Sequence, residues 1–149
     1  MHSTAPRSSQ RGVAIVEFAL ILPLLLILTF TTTEFGRAVY EYDTVAKSVR
    51  QAARYLSIQN PGTHTTEAQN LVIYGYTVPP AGAQPLAPGL STTTVPPATW
   101  QPAGSDPIVN TVTVTVTGYP FHSLFTTVFG LTFGNITFSD VTATMRSHL

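Results

Sequence analysis

Few side chains in this sequence are of types that carry chemistry, and their spacing argues against catalysis. The four histidines (His2, His64, His122 and His148) are scattered, with no spacing that would gather them around a metal. His122 and Ser123 are adjacent, but neighbours along a chain do not by themselves set a base against a nucleophile. Asp106 precedes Pro107 as a turn residue, and Asp140 stands alone. There is no Gly-rich phosphate loop, no H-E-x-x-H and no G-x-S-x-G. With no cysteine, a disulfide framework and any thiolate metal or redox site are excluded. Asn135-Ile136-Thr137 matches a glycosylation acceptor, a short pattern of low specificity. No catalytic residue, cofactor or metal site is expected, and the chain does not read as an enzyme. The exception is Glu17, the only charge in the apolar run Val13 to Phe30. A carboxylate inside a bilayer costs about 3 kcal/mol, so it marks a functional position unless snorkelling from the end of the run relieves it.

The element that positions Glu17 is the run itself. Its eighteen residues cover about 27 Å as a helix, the lower edge of a membrane span. Thr31 to Thr33 are uncharged and extend the span to 13–33. Arg7 and Arg11 precede it with no acid beside them, so residues 1–12 are expected in the cytoplasm and the C-terminal part outside it. Two other readings compete. A cleaved secretory signal would have a shorter apolar core and a small-x-small site, which Thr29-Phe30-Thr31-Thr32-Thr33 does not offer. A plain anchor helix would make Glu17 incidental.

The junction Arg11-Gly12-Val13-Ala14-Ile15-Val16-Glu17-Phe18 resembles the class III signal of type IV pilin-like proteins, which a membrane-embedded prepilin peptidase cuts after the glycine. In that family the glutamate is the fifth residue of the mature chain; counted from Val13, Glu17 is the fifth. The resemblance implies Gly12 and Val13 as the processing site, with Glu17 and Phe18 as recognition and helix-registry residues. Glycine at the cut lets the backbone take the extended shape a protease cleft needs. Cleavage leaves a positive α-amine at Val13, which a carboxylate neutralises well in a medium of low dielectric. The resemblance implies that this pairing occurs between neighbouring subunits.

Past Thr33 the helical pattern continues. Phe35, Val39, Tyr42, Ala46, Val49, Ala53 and Leu56 recur every three or four residues and predict an amphipathic helix over 34–58. The opposite face is assigned Glu34, Arg37, Glu41, Asp43, Lys47, Arg50 and Arg54, with Arg37–Glu41 and Asp43–Lys47 as i,i+4 pairs. Lys47, Arg50 and Arg54 read as a solvated face, with contact to lipid headgroups or a partner as the alternative. Asn60-Pro61-Gly62 ends the helix, and Pro23 should kink it. In order along the chain come Arg11-Gly12, Val16-Glu17-Phe18-Ala19-Leu20, Leu22-Pro23-Leu24-Leu25, Glu34-Phe35-Gly36-Arg37-Ala38 and Ala52-Ala53-Arg54-Tyr55. That string resembles the TadE family of tight-adherence (Flp) pilus assembly proteins. The resemblance implies a minor pilin-like (pseudopilin) component of the pilus machine. It would sit in the inner (cytoplasmic) membrane by a single pass and be processed by a prepilin peptidase. Its partners would be membrane lipid, that peptidase, and other pilin-like and Tad assembly proteins. The rival is an uncleaved single-pass envelope scaffold.

Residues 59–149 are expected to form a small β-rich outer domain. Charged residues are only 9% of the 149, against roughly 25% in an average soluble protein. Seven bases balance seven acids, which excludes a nucleic-acid partner held by phosphate contacts. Apolar residues at 44% exclude a disordered tail, and the polar content is largely the 24 threonines. Asn70 to Val78 reads as a strand. Residues 79–107 hold eight of the twelve prolines and read as an extended loop, poorly ordered or wrapped over the surface. Trp100 within it is assigned to a small local cluster rather than to an interface. Ile108 to Thr117 is the clearest strand, alternating Val112, Val114 and Val116 with threonines that face solvent or pair laterally. Phe121, Leu124, Phe125 and Val128 have helical spacing and suggest a short helix, packed on the sheet or touching the membrane surface. A last strand runs roughly Ile136 to Met145, its change of parity absorbed by a bulge at Ser139-Asp140. Thr142-Ala143-Thr144-Met145-Arg146 is again similar to TadE-type chain ends. The fold class expected is α+β: a long N-terminal helix packed on a small antiparallel sheet, in the pilin-like layout that the resemblance supplies.

Overall fold

A computed structural model describes residues 8–125, 127–128, 130–132 and 134–148. Arg7 and Phe129 lie outside the described residues. Helix α1 runs Ser8–Leu56, 49 residues without interruption through Pro23 and Gly36, about 73 Å at the standard rise. It begins five residues before Val13, so the expected junction lies inside it. Threonine is a weak helix former, but here its hydroxyls are satisfied by the helix. Thr29, Thr31 and Thr32 each donate to the carbonyl four residues back at 2.8 Å, and Thr33 does so at 2.9 Å. With its hydroxyl bonded in this way a threonine presents mainly its methyl group outward, so the apolar stretch extends to residue 33.

Residues expected as the strand Asn70 to Val78 form instead helix α2, Thr65–Tyr74. Periodicity alone does not separate a short apolar run into helix or strand. Here Ala68, Leu71 and Val72 share a helical face that is buried, and Gly75 caps the end in the left-handed region (φ 79°), donating to the Leu71 carbonyl. Among the described residues seven strands follow: β1 Thr99–Ala103, β2 Val109–Val116, β3 Pro120–Phe121, β4 Thr127–Val128, β5 Leu131–Thr132, β6 Ile136–Thr137 and β7 Val141–Arg146. Antiparallel β1, β2 and β7 form one sheet in that order, and β3–β6 and β4–β5 are two short ladders. The long helix packed on small antiparallel sheets is the expected α+β class.

The core lies between α1, α2 and the three-stranded sheet. Val112, Val114 and Val116 are buried, facing Val45, Val49, Ala52, Ala53 and Leu56 of α1 and Ala68, Leu71, Val72 and Ile73 of α2. On the outer face, threonine hydroxyls pair across β2 and β7, Thr113 with Thr144 at 2.8 Å and Thr115 with Thr142 at 3.2 Å. The proline-rich segment is pinned down rather than loose. It buries Ala87, Leu90 and Val95 in the core, and Leu86 N–H donates to the Ile73 carbonyl at 2.7 Å. It ends in β1, an edge strand that tolerates Pro102 because it pairs with β2 alone. Trp100 packs against the core, as a local cluster residue should.

Two further expectations fail for one reason, that the residues find different partners instead of sharing a face. Phe121 pairs in β3, residues 122–125 are irregular, and among the described residues from Phe121 to Val128 none is helical. Ile136 to Met145 is not one bulged strand: β6 pairs with β3 and β7 with β2, and the chain changes partners at 138–140. A change of partner accommodates the switch in parity. Because Leu56 is fully buried and Ile58 is 62% exposed, Leu56→Ala should lower unfolding stability by about 2–5 kcal/mol. Ile58→Ala should change it by less than about 0.5 kcal/mol. Denaturant titration of the full chain in micelles, followed by Trp100 fluorescence, checks both.

Candidate functional site

Gly12, Val13, Glu17 and Phe18 all lie on the first turns of α1, exposed, on a stretch that packs against nothing else described. Their geometry is that of a bare helix. A methyl added at Gly12 would meet no atom within 4 Å. Glu17 makes no hydrogen bond or ion pair with the described residues.

A second cluster, drawn from the face opposite the apolar stripe predicted for this helix, sits where α1 leaves its apolar stretch. Glu34 and Glu41 are buried, 6% and 7% exposed, and Arg37 lies between them. Arg37 Nη1 donates to Glu41 Oε1 at 2.8 Å and Nη2 to Glu34 Oε2 at 3.3 Å, while Nη2 also reaches the His122 carbonyl. The Arg37 guanidinium carbon lies 4.5 Å from the centre of the Phe121 ring, a cation–π contact. Tyr119 Oη donates to Glu41 Oε2 at 3.0 Å, and Leu124 N–H to Glu34 Oε2 at 3.3 Å. One face of the helix is therefore charged and yet covered by residues 119–124.

This corrects the predicted helix face. Phe35 and Val39 are 70% and 51% exposed, and the buried face over those turns is Glu34, Ala38, Glu41 and Val45. Ala46, Val49, Ala53 and Leu56 are buried as expected, and the Arg37–Glu41 and Asp43–Lys47 pairs form, the latter at 2.6 Å. A signal was available in the sequence. Three charges at spacing three and four, on one helical stripe around a small Ala38, are conspicuous in a chain this poor in charge.

Burial pushes the Glu34 carboxyl up. The Ser123 hydroxyl, the Arg37 guanidinium and the Leu124 N–H outweigh it and hold the group below its ordinary 4.5. Burial, and then the Glu41 carboxylate, push the Tyr119 phenol well above its ordinary range, so it remains a proton donor. The arrangement buries charge at a helix–domain junction. Among the described residues no group of His, Asp and Glu could hold a metal.

An α+β chain whose one candidate span, among the described residues, lies at its N-terminus and continues as the spine of a small antiparallel β-domain has the arrangement of pilin-like structural proteins. The profile of the TadE-like protein family matches residues 12–54, nearly all of α1. No curated protein and no solved structure matches the chain.

Replacing Arg37 by Met leaves two buried carboxylates uncompensated and should destabilise the junction by about 3 kcal/mol. Thermal unfolding of the full chain in micelles, beside the variant that also carries Glu34→Gln and Glu41→Gln, measures the loss and its recovery. Because the folded-state pKa of Glu34 is depressed, its contribution is fully present above the ordinary 4.5 and is lost as pH falls through the folded value. Glu34→Gln should therefore flatten the decline of stability below about pH 4.5, read as melting temperature against pH.

Proposed function

We propose that this chain is a membrane-anchored, pilin-like component of the Tad (Flp) pilus assembly machinery, processed by a prepilin peptidase between Gly12 and Val13. The observation that carries the reading is the coincidence of the TadE-like match, residues 12–54, with a single helix that carries Gly12, Glu17 and Phe18 near its start. Residues 13–33 anchor the chain by one pass in the inner membrane. Arg7 and Arg11 hold the leader in the cytoplasm, and the C-terminal domain lies outside. After cleavage the Val13 amine needs a counter-charge in lipid, and Glu17 supplies one, within the chain or to a neighbouring subunit. Other pilin-like and Tad assembly proteins are the partners, met through the apolar helix and the outer domain.

One observation favours the second reading, an uncleaved envelope scaffold: α1 starts at Ser8 and runs through the junction. Cleavage requires the first turns to unwind. Glycine assists, being about 1 kcal/mol less favourable in a helix than alanine, and terminal turns fray. Mass spectrometry of the N-terminus, on protein made with its own prepilin peptidase, separates the readings. A terminus at Val13 that disappears in Gly12→Ala is expected. The alanine methyl meets open space, so its loss of cleavage reports the peptidase and not misfolding. A terminus at Met1 with active peptidase would leave the scaffold.

A further inference from the structure

The stretch Tyr119 to Phe138 contains no Asp, Glu, Lys or Arg and holds five of the chain's eight phenylalanines. Its described part is not buried as a unit. Leu124 is 70% exposed and Ile136 is 54% exposed. Both are placed at a definite height along α1. The ring of Phe125 meets that of Phe30, with centroids 4.6 Å apart. Phe30 is three residues inside the end of the apolar stretch at Thr33, about 4.5 Å below it along the helix axis. Ile136 lines, with Thr31, Phe35 and Phe121, an open cleft of about 410 Å³ beside the helix. Leu124 is held at the same level by its N–H to Glu34. Phe35, 70% exposed and one helical turn beyond Thr31, extends the aromatic band.

We propose that the loop around Leu124 and the short strand β6 at Ile136 form a second membrane contact, seated in the outer-leaflet interface beside α1. The inference rests on the reading that residues 13–33 span the bilayer. If they do, the Phe30–Phe125 contact leaves the loop no position clear of the headgroups. The occupant of this surface is lipid, because the surface continues the apolar stretch of the span at the same height. The contact is apolar: from Pro107 to Met145 the only Asp, Glu, Lys or Arg is Asp140, so no basic residue there calls anionic headgroups to it. The outer domain then has two points on the membrane, the helix and the loop, which fixes its tilt as a helix alone does not.

The chain has no cysteine, so single-cysteine variants of the full protein take one label each. An environment-sensitive fluorophore is placed at Leu124→Cys and Ile136→Cys, at Leu22→Cys in the span, and at Ile58→Cys beyond the far end of α1. The protein is held at one chain per nanodisc of zwitterionic lipid. Expected are blue-shifted emission at 124 and 136, quenched more by lipids labelled near the headgroup than at the chain end. Position 22 should show the reverse preference and position 58 neither, and anionic lipid should change none of this. Water-like emission at 124 and 136 with 22 in lipid overturns the inference and leaves the anchor standing. Shielding at 124 and 136 that appears only in vesicles carrying many chains overturns it in favour of a second copy of the chain. Water-like emission at 22 overturns the anchor and the inference together.

Discussion

Arg37, held between two buried carboxylates, allows one uninterrupted helix to pass from an exposed apolar stretch into the interior of a folded domain. Up to Thr33 the helix presents hydrocarbon and back-bonded hydroxyls. The next residue is a glutamate, and a helix emerging from a bilayer would ordinarily expose such charges to water. Here residues 119–124 fold over them, supplying the Tyr119 hydroxyl, the His122 carbonyl and the Leu124 N–H. Each buried charge thereby acquires a partner, without which its desolvation would be prohibitive. The result is a domain docked at the very end of the apolar stretch, with no linker between them.

From that junction, order propagates outward through rings. Phe138 contacts Tyr42, Tyr119 and Phe121, with centroids 5.4, 5.9 and 6.3 Å away. This aromatic group joins the charged belt to the valine core, where Ala52 and Ala53 of α1 meet β2 and α2. Small residues on the helix let the sheet come close, and the sheet in return covers a surface that would otherwise face water. The last residues close the circuit. His148 N–H donates to the Ser57 carbonyl at 2.8 Å, tying the C-terminus to the far end of α1.

Much of this was legible in residue order, because some signals are local. The apolar run from Val13 to Phe30, its extension through Thr33, the continued helix, and the alternation of Val112, Val114 and Val116 each follow from one element's own periodicity. The junction at Gly12, Glu17 and Phe18 is local in the same sense: the processing proposal rests on what its resemblance to a pilin-like signal implies and draws on no tertiary contact.

Other features depended on contacts between residues far apart in the chain. Glu34 and Glu41 read as lying opposite the buried stripe because charge prefers water, and only Tyr119 and Leu124, some eighty to ninety positions on, turn that face inward. Asn70 to Tyr74 suit a strand or a helix equally until Ala68, Leu71 and Val72 find α1. The proline-rich stretch looks loose until Leu90 and Val95 are buried and Trp100 pairs opposite Val112. Residues 121–128 have helical spacing, yet Phe121 goes to Arg37 and Phe125 to Phe30. The physical reason is common to all four. A short segment's intrinsic preference amounts to a few tenths of a kcal/mol per residue, whereas burying a side chain or pairing a buried charge is worth roughly 1–3 kcal/mol, so tertiary partners prevail.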